Sequence, residues 1–213
     1  MTAVAPLETE TFSPRQNAVL ECALKLLVAG GEKALTTAGI ARAANCSKES
    51  LYKWFGDRDG MLAAMIAFQS SKVRTPAPRH GAPSLEDFTH NLRTFAVDLL
   101  TVLGGEVSLA LNRLAIGQAG PGNTGLGHLL IEQGRQPIEQ RARALLELGR
   151  RHGYLAFSDT RQAFETLYGL VVRDAHLRYL LGDAPDNEHE LSARAELAVD
   201  QFFRLYGRKL LKD

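Results

Sequence analysis

Between Ser47 and Arg58 the sequence crowds hydrogen-bond donors and cations into twelve consecutive positions, SKESLYKWFGDR. In a helix, Leu51 and Phe55 share one face, while Lys48 and Tyr52, also four apart, share another. The first pair packs and the second presents. Ser47 and Lys48 at the helix start can reach base edges or phosphate, where free backbone N–H groups add a positive end. Tyr52, Lys53, the Trp54 indole N–H and Arg58 can each donate to a phosphate oxygen, which puts Phe55 inside and Tyr52 and Trp54 outside. Charge supports this: residues 15 to 74 carry nine Lys and Arg against five Asp and Glu, a balance of +4 in a chain of net charge +1. Such an asymmetry suggests a local anion site in the first third. The competing reading is a plain packing element, with Trp54 covering the helix and the charges forming ordinary surface.

The elements that must hold this surface are helices. Pro14 suits a first helical turn, and Ala18, Val19, Cys22, Ala23, Leu26 and Leu27 repeat at helical spacing until Gly30-Gly31. Thr36 or Thr37 caps a short second helix carrying Ile40, Ala41 and Ala44. Ser47 caps a third that ends at Gly56-Asp57, and a fourth runs from about Asp57 to Ser71. A chain that reverses between the second and third helices needs a left-handed residue, which is Asn45, and Cys46 then points inward. TPAPRHGAP at 75–83 reads as a linker, and further helices are expected near 84–103, 105–117, 124–151, 159–181 and 188–207. Only YLAFSD at 154–159 has a strand-like beat, and it is short enough to be a loop. The expectation is an all-α chain of about nine helices in packed layers. It divides into a flexible tail at 1–13, a helix-turn-helix unit at 14–60 and a helical body at 61–213.

With 45% apolar and 23% charged residues, the composition is that of a soluble globular protein. No apolar run reaches the roughly 18 residues of a membrane span, and MTAVAPLETETFSP lacks the apolar core of a signal peptide, so a cytoplasmic location is expected. Cys22 and Cys46 lack CxxC or metal-like spacing and read as small, reduced core residues. No Ser-His-Asp set, carboxylate pair or His-rich cluster stands out, so neither an enzyme, a metal nor a cofactor is expected. GPGNTG at 120–125 fits GxGxxG, but the preceding VSLALNRLAIGQ has helical spacing where a dinucleotide fold needs a strand. It reads instead as a connection near a pocket mouth.

Asn112 and Arg113 lie among Leu109, Leu111, Leu114 and Ile116, and His176 lies in VVRDAHLRYLL. All three are candidates for polar contact to a small molecule in an apolar cavity. The alternative sends Arg113 to solvent, Asn112 to backbone and His176 to an interface.

From Arg15 to Phe68 the chain resembles the N-terminal domain of TetR-family transcriptional repressors. The residues that carry this are Gly31, Thr36-Thr37, Ile40-Ala41, Ala44-Asn45-Cys46-Ser47, Leu51-Tyr52, Trp54-Phe55, Arg58-Asp59 and Met61-Leu62. LLIEQGRQPIEQ and FETLYGLVVRDAHLRYLLG are similar to the family's helical ligand and dimer domain. The pattern departs at Asn45 and Trp54, where the family has Gly and His, and at Glu49, often Gly; Glu49 could read a cytosine amine or discriminate against wrong sites.

The resemblance implies a homodimeric, ligand-responsive repressor, with a double-stranded DNA operator and a small-molecule effector as partners and no membrane. The expected DNA-facing residues are Thr36, Thr37, Ser47, Lys48, Ser50, Tyr52, Lys53, Trp54 and Arg58. The last two helices are the expected subunit contact, through Leu167, Leu170, Val171, Leu177 and Leu180 on one and Leu197, Ala198, Phe202 and Leu205 on the other. The reading from another class is a helical binding protein or enzyme that retains a non-functional helix-turn-helix.

Overall fold

Short polar side chains, each bonding to a backbone N–H a few residues ahead, set most helix starts in the computed structural model, which describes residues 12–75, 83–120 and 125–208. Ser13 and Gln16 cap α1 (Pro14–Gly30) reciprocally, and Gly31 at φ 63° ends it. A 3-10 turn (Glu32–Ala34) leads to α2 (Thr37–Ala43), capped by Thr36, and to α3 (Lys48–Phe55), capped by Ser47. Asp57 caps α4 (Arg58–Ser70), and Ser84 caps α5 (Leu85–Gly104). Such caps contribute about 1 kcal/mol each. After α6 (Glu106–Gln118), α7 (Gly125–Leu129) passes through a π-helical segment (Leu130–Arg135) into α8 (Gln136–Arg151). Asp159 starts α9 (Thr160–Val172), followed by α10 (Ala175–Leu181) and by α11 (Glu188–Tyr206), which Asn187 and Glu190 cap together.

Two expected helices are not uniform. Within 124–151, Pro137 has no N–H to offer the Gln133 carbonyl four residues back, and the ladder widens into the π segment just there. The Ser70 hydroxyl takes over, donating to the Gln133 carbonyl at 3.0 Å. Within 159–181 the helix breaks at Arg173, whose φ is 49°. YLAFSD is a loop whose Leu155 makes a lone antiparallel bridge to Gly207. The tail to residue 11, most of the 75–83 linker and residues 121–124 of GPGNTG lie outside the described residues.

Among the described residues apolar burial organises two large cores and a small cluster of Leu109, Ala175 and Tyr179. One joins α5, α8, α9 and α11 around Phe88, Phe95, Phe164 and Phe202. There a Cβ on Gly149 would lie 2.3 Å from the Phe88 ring, so only glycine lets α8 and α5 approach this closely. The other core joins α1 to α4 and also takes in Leu111 and Ala115 of α6 and Leu126 of α7. Met61, Leu62 and Met65 of α4 belong to it, so the expected division after residue 60 cuts through this core. No single helix among the described residues is long and apolar enough to cross a membrane.

Candidate nucleic-acid interface and an inner cavity

The turn between α2 and α3 is held from both sides. Asn45 takes the left-handed conformation at φ 50°, and the Cys46 N–H donates to the Ala41 carbonyl at 2.9 Å. Across from it on α1, the Arg15 guanidinium donates to the Ala44 and Asn45 carbonyls at 3.0 and 2.6 Å. The half-buried Cys22 thiol, 3.2 Å from the Ala43 carbonyl, braces the same helix end. Arg15 therefore serves the turn, satisfying carbonyls that a short helix leaves without partners.

On α3, Leu51 and Phe55 are buried while Lys48, Tyr52 and Lys53 are exposed, Tyr52 by 57%. The Ser47 hydroxyl is occupied, accepting from the Ser50 N–H at 3.1 Å and lying 3.1 Å from the Ser50 hydroxyl. The Thr36 hydroxyl oxygen likewise accepts from the Gly39 N–H, and Thr37 is half-buried. Backbone bonding and the Ser47 hydroxyl hold the exposed Glu49 carboxyl below its usual range, so a negative charge stands beside Lys48.

Two of the expected donors are placed differently. Trp54 is half-buried, edge-on to Phe55 at 6.2 Å, so the alternative of Trp54 covering the helix describes its ring better than an outward donor does. Three residues on from Leu51, it sits on the packed face. Arg58 is exposed but pairs with Glu32. Conversely Arg42, on the last turn of α2, is exposed and makes no ion pair or hydrogen bond among the described residues. Lys48 and Lys53 share that freedom. The three supply the mobile positive charge of this face. A cleft of about 310 Å³ opens beside it, bounded by Thr36, Tyr52 and Arg58 and floored by Leu51, Phe55 and Met61.

A second cavity, of about 200 Å³, lies behind α4, between it and α5, α6, the π segment, α8, α9 and α10. Ile66, Gln69 and Ser70 of α4 line it, as do Asn112 and His176. Asn112 commits its amide N–H to the Ser108 carbonyl at 2.8 Å. His176 Nε2 is buried without a hydrogen-bond partner, and burial holds the imidazole pKa below its ordinary value. Arg113 does not line this space. Its guanidinium donates to the Tyr179 and Leu180 carbonyls at 2.6 and 3.1 Å, closing the C-terminal end of α10.

Glu32 ties the two regions together. One carboxylate oxygen pairs with Arg58 at the start of α4, and the other accepts from the Gln118 side chain at the end of α6, at 2.7 Å. At the far end of α4, Arg141 donates to the Ser70 carbonyl at 2.7 Å.

Four of the nine residues expected at a subunit contact are spent within the chain: Leu167, Val171, Ala198 and Phe202 are fully buried in its own core. Leu170 and Leu180 are half-buried, and Leu177, Leu197 and Leu205 are exposed, as is Leu181 by 80%.

A helix-turn-helix carried on an all-helical body of this kind defines a DNA-binding transcriptional regulator. Residues 19–65 match the family of bacterial regulatory proteins of the tetR type, and residues 90–208 match the C-terminal domain of AefR-like transcriptional repressors. A TetR transcriptional regulator of known structure from Agrobacterium tumefaciens is 61% identical, with a TM-score of 0.79 over 93% of this chain and 97% of that one. The uncharacterized HTH-type regulator YdeS of Bacillus subtilis is 30% identical over 78% of this chain and 86% of its own. A putative regulator from Mesorhizobium loti has the same fold at 22% identity, with a TM-score of 0.70 over 93% of this chain and all of that one. The chain belongs to the TetR family of transcriptional regulators.

Proposed function

We propose that this regulator is a homodimeric repressor whose operator affinity falls when a small molecule fills the cavity behind α4. The observation that carries the reading is the double use of α4. Its first turns pack in the same core as Leu51 and Phe55 of α3, and its last turns line the cavity through Ile66, Gln69 and Ser70. Any ligand that shifts α4 also shifts the α3 surface, and the Glu32 bridge from Arg58 to Gln118 adds a second link through α6. Lys48, Tyr52 and Lys53 of α3, with Arg42, meet the duplex, and Ser47, Ser50 and Thr36 hold the helix starts in register. The exposed leucines 177, 181, 197 and 205 form the subunit contact, with Leu170 and Leu180 at its edge.

A two-fold pair sets two α3 helices about 34–36 Å apart, one per successive major groove. The effector need prefer the misplaced spacing by only about 1–3 kcal/mol to loosen DNA from several-fold to a hundredfold.

Fluorescence anisotropy on DNA from upstream of the chain's own gene tests the DNA face. Lys48→Ala and Tyr52→Ala are each expected to weaken binding about fivefold or more with unchanged unfolding curves, at roughly 1 kcal/mol per lost contact. Unchanged affinity in both variants removes the surface, and a monomer at micromolar concentration in sedimentation removes the symmetric mechanism.

A further inference from the structure

Several polar groups around the cavity behind α4 already have partners within the chain. The single Ser70 hydroxyl proton is shared between the Ala67 and Gln133 carbonyls, Asn112 donates to the Ser108 carbonyl, and Gln69 accepts from Lys72. The Arg135 guanidinium lies over the Tyr168 ring at 5.1 Å. His176 alone among the lining residues has a buried side-chain nitrogen, Nε2, with no partner. An orphaned buried acceptor or donor costs free energy that a ligand group can recover.

We propose that this cavity binds an uncharged single-ring aromatic molecule carrying one hydroxyl group, a simple phenol, which donates its O–H to His176 Nε2. The proposal rests on the effector-site reading above. Size sets the ring count. An apolar cavity of about 150 Å³ admits benzene and drug-sized pockets start near 300 Å³, so the sheltered space of about 200 Å³ matches a single ring. Charge sets the polarity. No Asp or Glu lines the cavity to hold a cation. A carboxylate drawn in among Leu99, Val102, Leu111 and Ile138 would lose its hydration, and the one lining guanidinium, Arg135, is exposed and lies over the Tyr168 ring. A phenol carries its hydroxyl uncharged at neutral pH, and the Phe164 ring offers its own ring an aromatic neighbour. With the imidazole proton on Nδ1, Nε2 is the acceptor for that hydroxyl.

Isothermal titration calorimetry of the full chain with 4-ethylphenol, ethylbenzene and 4-ethylbenzoate tests this. The phenol is expected to bind about tenfold tighter than ethylbenzene, the worth of one buried hydrogen bond, and 4-ethylbenzoate weaker than both. In His176→Leu the phenol advantage is expected to vanish while ethylbenzene binds as before, which also reports an intact cavity. Val102→Phe fills the space from another wall and is expected to abolish binding of both neutral probes. Tighter binding of 4-ethylbenzoate, a phenol advantage that survives in His176→Leu, or phenol binding that survives in Val102→Phe overturns the proposal. Anisotropy on operator DNA in the same samples separates ligand class from switching. Phenol binding without DNA release keeps the class and removes the switch. DNA release by 4-ethylbenzoate with no phenol binding removes the class and keeps the switch.

Discussion

The α2–turn–α3 unit and the junction of α4 with the π segment both hold a helix end in place, but only the first also caps its helix starts locally. In the first, each helix start is tied by a side chain acting within three residues, Thr36 to Gly39 and Ser47 to Ser50, and Arg15 and Cys22 of α1 brace the turn between them. The second is tied by Ser70 to Gln133 and Arg141 to Ser70, partners 63 and 71 positions apart. The difference separates rigidity from responsiveness. Helix starts capped locally keep their shape wherever they are carried, whereas a junction built on long-range bonds can rearrange when one side is displaced, as the proposed effector response requires.

The sharpest way to break the comparison is at the core shared by both regions. Leu51→Ala removes a buried side chain beneath the DNA face and is expected to cost about 2–5 kcal/mol in urea unfolding, with operator binding lost in parallel. If binding survives at full strength, the local caps alone hold α3. Ser70→Ala is the next largest, at about 1–3 kcal/mol, because the Gln133 carbonyl then lacks the donor that Pro137 cannot supply. A smaller cost measured the same way would mean that the π segment satisfies itself.

His176 sharpens the contrast through pH. Burial depresses its folded pKa below the unfolded value, so the unfolded chain binds the proton more readily. The penalty is absent above the ordinary histidine pKa and grows as pH falls from there toward the folded pKa, where it is complete. Thermal melts between pH 7 and 5 are expected to show a shallower loss of stability in His176→Leu than in the parent chain. Equal slopes would place the imidazole in water. Smallest of all in stability is Arg42→Ala, expected to change unfolding by less than about 0.5 kcal/mol. The same change is expected to lower the slope of log affinity against log salt by about one, the mark of a lost phosphate contact.

Much of the DNA-binding unit was legible because its determinants are near neighbours. Asn45 at the left-handed turn, Ser47 at the cap, and Lys48 and Tyr52 opposite Leu51 and Phe55 all follow from spacing and short polar side chains. The packing of Trp54 was legible too, in its three-residue offset from Leu51. Pro137 carried a signal for the break in the long helix, since a proline inside a helical run strands the carbonyl four residues earlier. Nothing near Arg58 announces Glu32, 26 residues earlier, as its partner, nor Arg113 as the cap of a helix end 66 residues on.

By itself the sequence determined where helices start and stop, the handedness of the turn and the two faces of α3, since hydrogen bonds that span three or four residues and a repeat of 3.6 need no distant partner. Only the tertiary structure decided which apolar stripe became core and which stayed bare. Leu167, Val171, Ala198 and Phe202 went inside, and Leu177, Leu181, Leu197 and Leu205 remained on the surface. Apolar burial has no direction of its own, so a leucine is equally suited to its own core or to another chain until the whole fold has taken its share.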